Sequence, residues 1–170
     1  MKKVTIILAF IIMPLALIAR QSPVEQVFKK YAGITGITSV QVSTGMFNML
    51  ANMDSGNEEL QKLAASVSSV LILHAPEKAS KTMGINFYNE VLKDLPVEKY
   101  GELMRVSSPE QQVLILADEQ NGIISELLLL VGGNTDNALI YVKGALDMRQ
   151  ITSLSQINAP GMEHFINMQK

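Results

Sequence analysis

The chain has 170 residues with 14 basic and 16 acidic side chains, a formal charge of −2, no cysteine and no tryptophan. Without cysteine there is no disulfide, no thiolate nucleophile, no Cys-ligated zinc and no lipid-bearing cysteine of the lipobox type. Hydrophobic residues at 48% argue against disorder, while sparse aromatics and slight acidity argue against nucleic acid and anionic lipid, which need clustered Lys and Arg.

The amino terminus, MKKVTIILAFIIMPLALIARQSP, sets Lys2 and Lys3 before an apolar run from Val4 to Ala19, with no acidic residue ahead of Glu25. That is the layout of a secretory signal peptide. The run is shorter than the roughly 20 residues of a spanning helix, and Pro14 interrupts it. The expectation is a signal over residues 1–19, cleaved after Ala19, and one α+β domain over residues 22–170. Loss of Lys2 and Lys3 takes the formal charge from −2 to −4. The mature protein is then expected to be exported, periplasmic or extracellular, with no stable membrane anchor.

In SPVEQVFKKYAG, Val24, Val27, Phe28 and Tyr31 fall at helical spacing, behind Ser22 as N-cap and Pro23 in the first turn. Gly33 and Gly36 follow this helix and precede a strand. They read as a helix stop and a turn, because a phosphate loop needs its glycines after a strand and before a helix. ITSVQVS alternates, with Thr38, Val40 and Val42 on one side. Ser43 or Thr44 then caps a helix on which Met46, Met49, Leu50 and Met53 form one stripe. Past the polar break DSGNEEL, LQKLAASV adds a helical turn or two before the strand SVLILHA. After PEKAS, the run MGINFYNEVLKDLP predicts one helix with Ile85, Tyr88, Leu92 and Leu95 on its apolar face, ended by Pro96.

From Tyr100 the period becomes two. GELMRVSS, QQVLILADE, IISELLLLVGG and NALIYVKGA are joined by short turn-forming connections, which predicts a four-strand antiparallel meander, with Asn121-Gly122 as its clearest hairpin. The unbroken run Leu127 to Val131 predicts a central strand covered on both faces. DMRQITSLSQI reads as a helix capped by Asp147. The fold class expected is α+β, with helices packed on a mainly antiparallel sheet.

The order KYAGITGITSVQVSTGMFNML, SSVLIL, FYNEVLKDLPVEKYGELMRV, ISELLLLVGG and ALIYVKGALDMRQITSLS resembles domain-of-unknown-function family 4252 from about Phe28 to Ser155. The Gly-x-x-Ser-Val strand with its Met-Phe helix start, the Lys-Tyr-Gly-Glu-Leu-Met run and the Glu-Leu-Leu-Leu-Leu-Val strand carry most of it. The resemblance implies a small exported protein of Bacteroidetes-type bacteria, without an established activity. It also implies an envelope stress or signalling setting. Some members look like lipoproteins, a pattern this chain departs from by lacking cysteine.

The residues suggest little chemistry. His74 and His164 stand in no H-E-x-x-H arrangement, and no G-x-S-x-G elbow is present. Asp54, Asn57, Glu58 and Glu59 depart from the spacing of a calcium loop and read as a solvated break. Asp118, Glu119 and Asp136 read as hairpin-turn residues. No catalytic residue, cofactor or metal site is assigned. Met46, Met49 and Met53 remain as a flexible groove for a ligand, against the plainer reading of a buried core stripe. The function expected is a protein interaction domain whose partner is another envelope protein. The alternative is a small carrier or sensor of an apolar ligand in the periplasm, which would show a pocket of several hundred cubic ångströms along the methionine helix.

Overall fold

The computed structural model describes residues 22–53 and 56–147. Helix α1 (Pro23–Tyr31) opens as its sequence dictates: the Ser22 Oγ accepts a hydrogen bond from the Glu25 backbone N–H at 3.2 Å, and Pro23 occupies the first turn. Val24, Val27, Phe28 and Tyr31 are its buried face. Gly33 and Gly36 follow at φ +81° and +89°, in the turn that leads to strand β1 (Thr38–Ser43). Helices α2 (Thr44–Met53) and α3 (Glu58–Ser66) come next, and strand β2 (Val67–Ala75) returns antiparallel along β1.

The run expected to be helical from Met83 onward turns helical only at Phe87, and a further helix, which the sequence reading did not assign, precedes it. Helix α4 (Glu77–Met83) lies in the stretch beginning PEKAS and stops at Gly84, a left-handed C-cap; helix α5 (Phe87–Leu92) starts afresh behind Asn86, whose Oδ1 accepts from the Asn89 N–H. Ile85, expected on the helix, is buried in the link between the two. A single 3-10 turn (Val97–Lys99) leads into strands β3 (Gly101–Ser107), β4 (Gln111–Gln120), β5 (Ile123–Gly133) and β6 (Asn137–Asp147). Asn121 and Gly122 both take positive φ, 56° and 81°, as a two-residue hairpin between β4 and β5 requires. The helix expected from Asp147 onward lies outside the described residues, as do the signal segment and His164; Asp147 itself ends β6.

All six strands form one antiparallel sheet in the order β1-β2-β6-β5-β4-β3. The fold is α+β, and β3 to β6 are the expected meander. Pairing registers sort the side chains into two faces. On the front, Leu71, Tyr141, Leu128 and Leu116 lie side by side across four strands, and Leu73, Leu139, Leu130 and Leu114 form the next row. Helices α1 and α5 close this face, and the rows join Val24, Phe28, Tyr31, Phe87, Tyr88 and Val91 in one core. Tyr31 meets Phe87 edge to face at 5.3 Å, and its hydroxyl donates to Glu90.

Candidate functional site

The opposite face of the sheet has a different character. Successive pairings place Val40, Ile72, Ile140, Leu129, Ile115 and Met104 in one row that crosses all six strands. Thr38, His74, Ala138, Val131, Val113 and Val106 make the row beside it, and Val42, Val70, Val142, Leu127, Ala117 and Gly101 the row on the other side. Only the last is roofed. There Phe47 of α2, Val70, Leu127 and Val142 pack around a second cluster of Val67, Ala117, Ile124 and Leu146.

The other two rows are half-buried in the middle and exposed at their ends. Val40 is 39% exposed and Met104 49%, whereas Leu128 and Leu130 on the front are fully buried. Side chains directly opposite on neighbouring strands lie within contact distance and so shield one another in part. The expectation that Leu127 to Val131 is covered on both faces is therefore corrected. The strand is central, but Leu129 and Val131 look onto a face that no described helix covers.

Beside this face, α2 presents Met46, Met49 and Met53 to the surface, with exposures of 44%, 52% and 77%. A buried core stripe was the plainer reading of their spacing, and it is wrong. The apolar contact of α2 is made instead by Phe47, on another part of its circumference.

The densest group of ionisable side chains lies on the front, beyond the end of α1. Lys99 Nζ stands 2.9 Å from Asp118 Oδ2 and 3.1 Å from Glu126 Oε1, and the Tyr100 hydroxyl donates to Glu126 Oε2 at 2.5 Å. Tyr141 is buried beside the same carboxylate, and Lys143 reaches Glu25 of α1 at 3.3 Å. Burial opposes the charge of Glu126, yet the Tyr100 and Tyr141 hydroxyls and Lys99 outweigh it and hold its pKa below the ordinary value. The Lys99 ammonium likewise lowers Asp118, and Asp118 in return raises Lys99. Burial, reinforced by Glu126, pushes both tyrosines up. The pKa values of Asp118, Glu126, Lys99, Tyr100 and Tyr141 are thus all driven away from pH 7. The cluster fixes protons in place, the opposite of what a general acid or base near pH 7 requires.

With this geometry in view, the comparison with known families is direct. The model of the domain of unknown function DUF4252 matches residues 31–154, well over half of the chain and all six strands. The chain belongs to the DUF4252 family. No curated protein and no solved structure gives a significant match to it.

The DUF4252 domain scatters the other residues singled out by sequence. His74 lies in an open row, its Nε2 3.7 Å from Asp136 Oδ2. Asp136 is a turn residue as expected, but it also receives the Glu77 N–H at the start of α4. Glu119 serves the hairpin by accepting from the Gly122 N–H at 2.7 Å. Asp118 does not: it sits buried in β4 and pairs with Lys99. Asn57 accepts from the Leu60 N–H as cap of α3, and Glu58 pairs with Lys62 one turn on. Among the described residues no group of three or more His, Asp or Glu side chains is placed to hold a metal.

A polar cavity of about 120 Å³ opens between α5 and the β3–β4 and β5–β6 turns, lined by Asn86, Asn89, Ser108 and Gln112 among others. It carries amides and a hydroxyl and none of the three methionines. No helix among the described residues is long and apolar enough to cross a membrane. The residues of this ionisable cluster that sequence reading missed are Lys99, Tyr100, Glu126 and Tyr141, which come from three separate segments. The one available signal was Glu126, the lone charged residue in a mainly apolar strand.

Proposed function

We propose that this DUF4252 protein is an exported, non-catalytic interaction domain of the cell envelope, which engages another protein chain through the open apolar face of its sheet. The observation that carries this reading is the row from Val40 through Leu129 to Met104, apolar across six strands and unroofed by any described helix. Contiguous apolar surface of this extent rimmed by polar residues marks interaction sites in water-soluble domains. Export is supported by the Lys2-Lys3 and apolar pattern of the first 19 residues. An envelope stress or signalling setting rests on family resemblance.

Catalysis is disfavoured by the front cluster, whose acids are shifted down and whose tyrosines and lysine are shifted up. A carrier of apolar ligand is disfavoured by the filled interface between sheet and helices, where Val24, Leu73, Phe87, Val91 and Leu139 have no exposed surface. Native mass spectrometry on protein recovered gently from its own cell envelope tests the reading. A complex with another protein chain, identical or different, on a chain lacking residues 1–19 is expected. A bare monomer, or a monomer carrying a few hundred daltons of small molecule, overturns it.

A further inference from the structure

We infer that the outer edge of β3 pairs antiparallel with β3 of a second copy, so that two sheets join about a two-fold axis into one. The inference concerns the edge of the sheet and goes beyond the reading of its open face.

An edge strand offers a row of unpaired N–H and C=O groups, which sheets commonly guard with lysine, proline, a bulge or a covering segment. Strand β3 ends the sheet order, so no described strand pairs with its outer side, and all seven of its residues are exposed. It holds neither lysine nor proline. Leu103, Met104 and Val106 stand 53%, 49% and 45% exposed. At the other edge, β1 shows Val40 as its exposed large apolar side chain and runs directly into α2. The bulge and the two charges of β3, which can guard an edge, are arranged here to fit a copy of the same strand.

Those charges name the partner. In a two-fold contact residue i of one copy meets j of the other while j meets i. With the axis normal to the sheet and passing between Leu103 and Met104, Glu102 faces the partner's Arg105 and Arg105 faces the partner's Glu102. Such an axis sets front beside front, so facing residues must come from the same face of their own sheet. Residues three apart in a regular strand lie on opposite faces. The bulge between Glu102 and Met104 alters this: Glu102 lies opposite Leu116 and Arg105 opposite Leu114, both of the front, and Arg105 Nε stands 3.0 Å from each carboxylate oxygen of Glu102. Arg105 Nη1 also donates to the Tyr88 hydroxyl at 2.8 Å, which holds it on that face. On the back, Val106 meets the partner's Gly101, which has no side chain to oppose it. Strand β1 is a poorer occupant: it carries no charge to answer Glu102 and Arg105, and a contact of β3 with β1 runs head to tail into an open filament.

The test is sedimentation velocity, from about 1 to 100 µM, on protein recovered from its producing cells, with the fold of each variant checked by circular dichroism. A dimer is expected. Glu102→Arg sets base against base across the axis and Arg105→Glu sets acid against acid, so each alone should weaken the dimer at least about 10-fold. In an equal mixture one variant offers two bases and the other two acids, and a mixed dimer should return. A local disturbance of β3 cannot be repaired by mixing. Met104→Lys, which places a guard lysine beside the axis, should also abolish the dimer. A monomer at about 100 µM overturns the inference, as does a dimer unmoved by either charge change, or one weakened by both without rescue in the mixture. Val40→Asp, at the far edge of the sheet, should leave the dimer intact. A dimer lost there joins through the open face instead, which overturns the edge contact and leaves the interaction reading standing.

Discussion

Asp136 caps a helix from a distant part of the chain: its Oδ1 accepts a hydrogen bond from the Glu77 backbone N–H at 2.6 Å. The residue before α4 is Pro76, which offers no side-chain cap, so the turn between β5 and β6 supplies one. Asp136→Ala should cost about 1 kcal/mol, the usual worth of a cap, and Asp136→Asn much less. Urea unfolding followed by circular dichroism measures both, and equal losses would show that the cap is not the cause.

The two faces of β5 should respond differently to the same truncation. Leu130→Ala removes a fully buried side chain from the front core and should cost about 2–5 kcal/mol. Leu129→Ala, half-buried on the open face, should cost about 1 kcal/mol or less in the monomer. Comparable values from denaturant titration at low protein concentration would mean that the open face is roofed within one chain.

Gly132 marks the closest approach of the sheet to α5. A Cβ built there meets both Asn86 Oδ1 and Tyr88 Cβ at 2.5 Å. Gly132→Ala should push the start of α5 off the sheet and cost about 1–3 kcal/mol. Thermal unfolding reads the loss, and an unchanged midpoint would show that α5 shifts freely.

The front cluster sets the pH dependence of stability. Glu126 and Asp118 have folded pKa values below their ordinary 4.5 and 3.8, so the stability they add is present above those values and is lost as pH falls through the lowered ones. Lys99 and Tyr100 have raised values, so their contribution is complete below 10.5 and 10.0 and is lost as pH rises beyond. Stability should thus be flat between about pH 5 and 9 and fall on both sides. In Glu126→Gln the acid limb should weaken; urea midpoints across pH would refute the assignment if that limb were unchanged.

Much of this architecture was legible in the sequence, for identifiable reasons. The meander follows from period two and from turn formers such as Asn121-Gly122, which act locally. Ser22 and Pro23 opened α1 by the same local logic. Helix α4 was not assigned and α5 was begun too early, because hydrophobic spacing runs on through Ile85, although Gly84 is a C-cap and Asn86 an N-cap.

What failed is what depends on distant parts. Apolar spacing on α2 could not tell which side meets the sheet, and Phe47, not the methionine stripe, does so. The leucine run of β5 could not report that Leu129 and Val131 face a part of the sheet that no described helix covers. Asp118 reads as a turn residue until Lys99 arrives from the preceding 3-10 turn. Glu126, Tyr100 and Tyr141 meet only through strand register.

The strand order also governs when the molecule can close. Strands β3 to β6 can assemble one hairpin at a time, each by short local contacts. The pair β1–β2 has no other neighbour in the sheet than β6, so its docking waits for the last strand and must draw Ala75 to Asn137 across the whole intervening chain. Helix α1 then seals a surface to which β2 and β6 both contribute. A chain emerging amino end first therefore keeps its first half open until the final strand is free to join it.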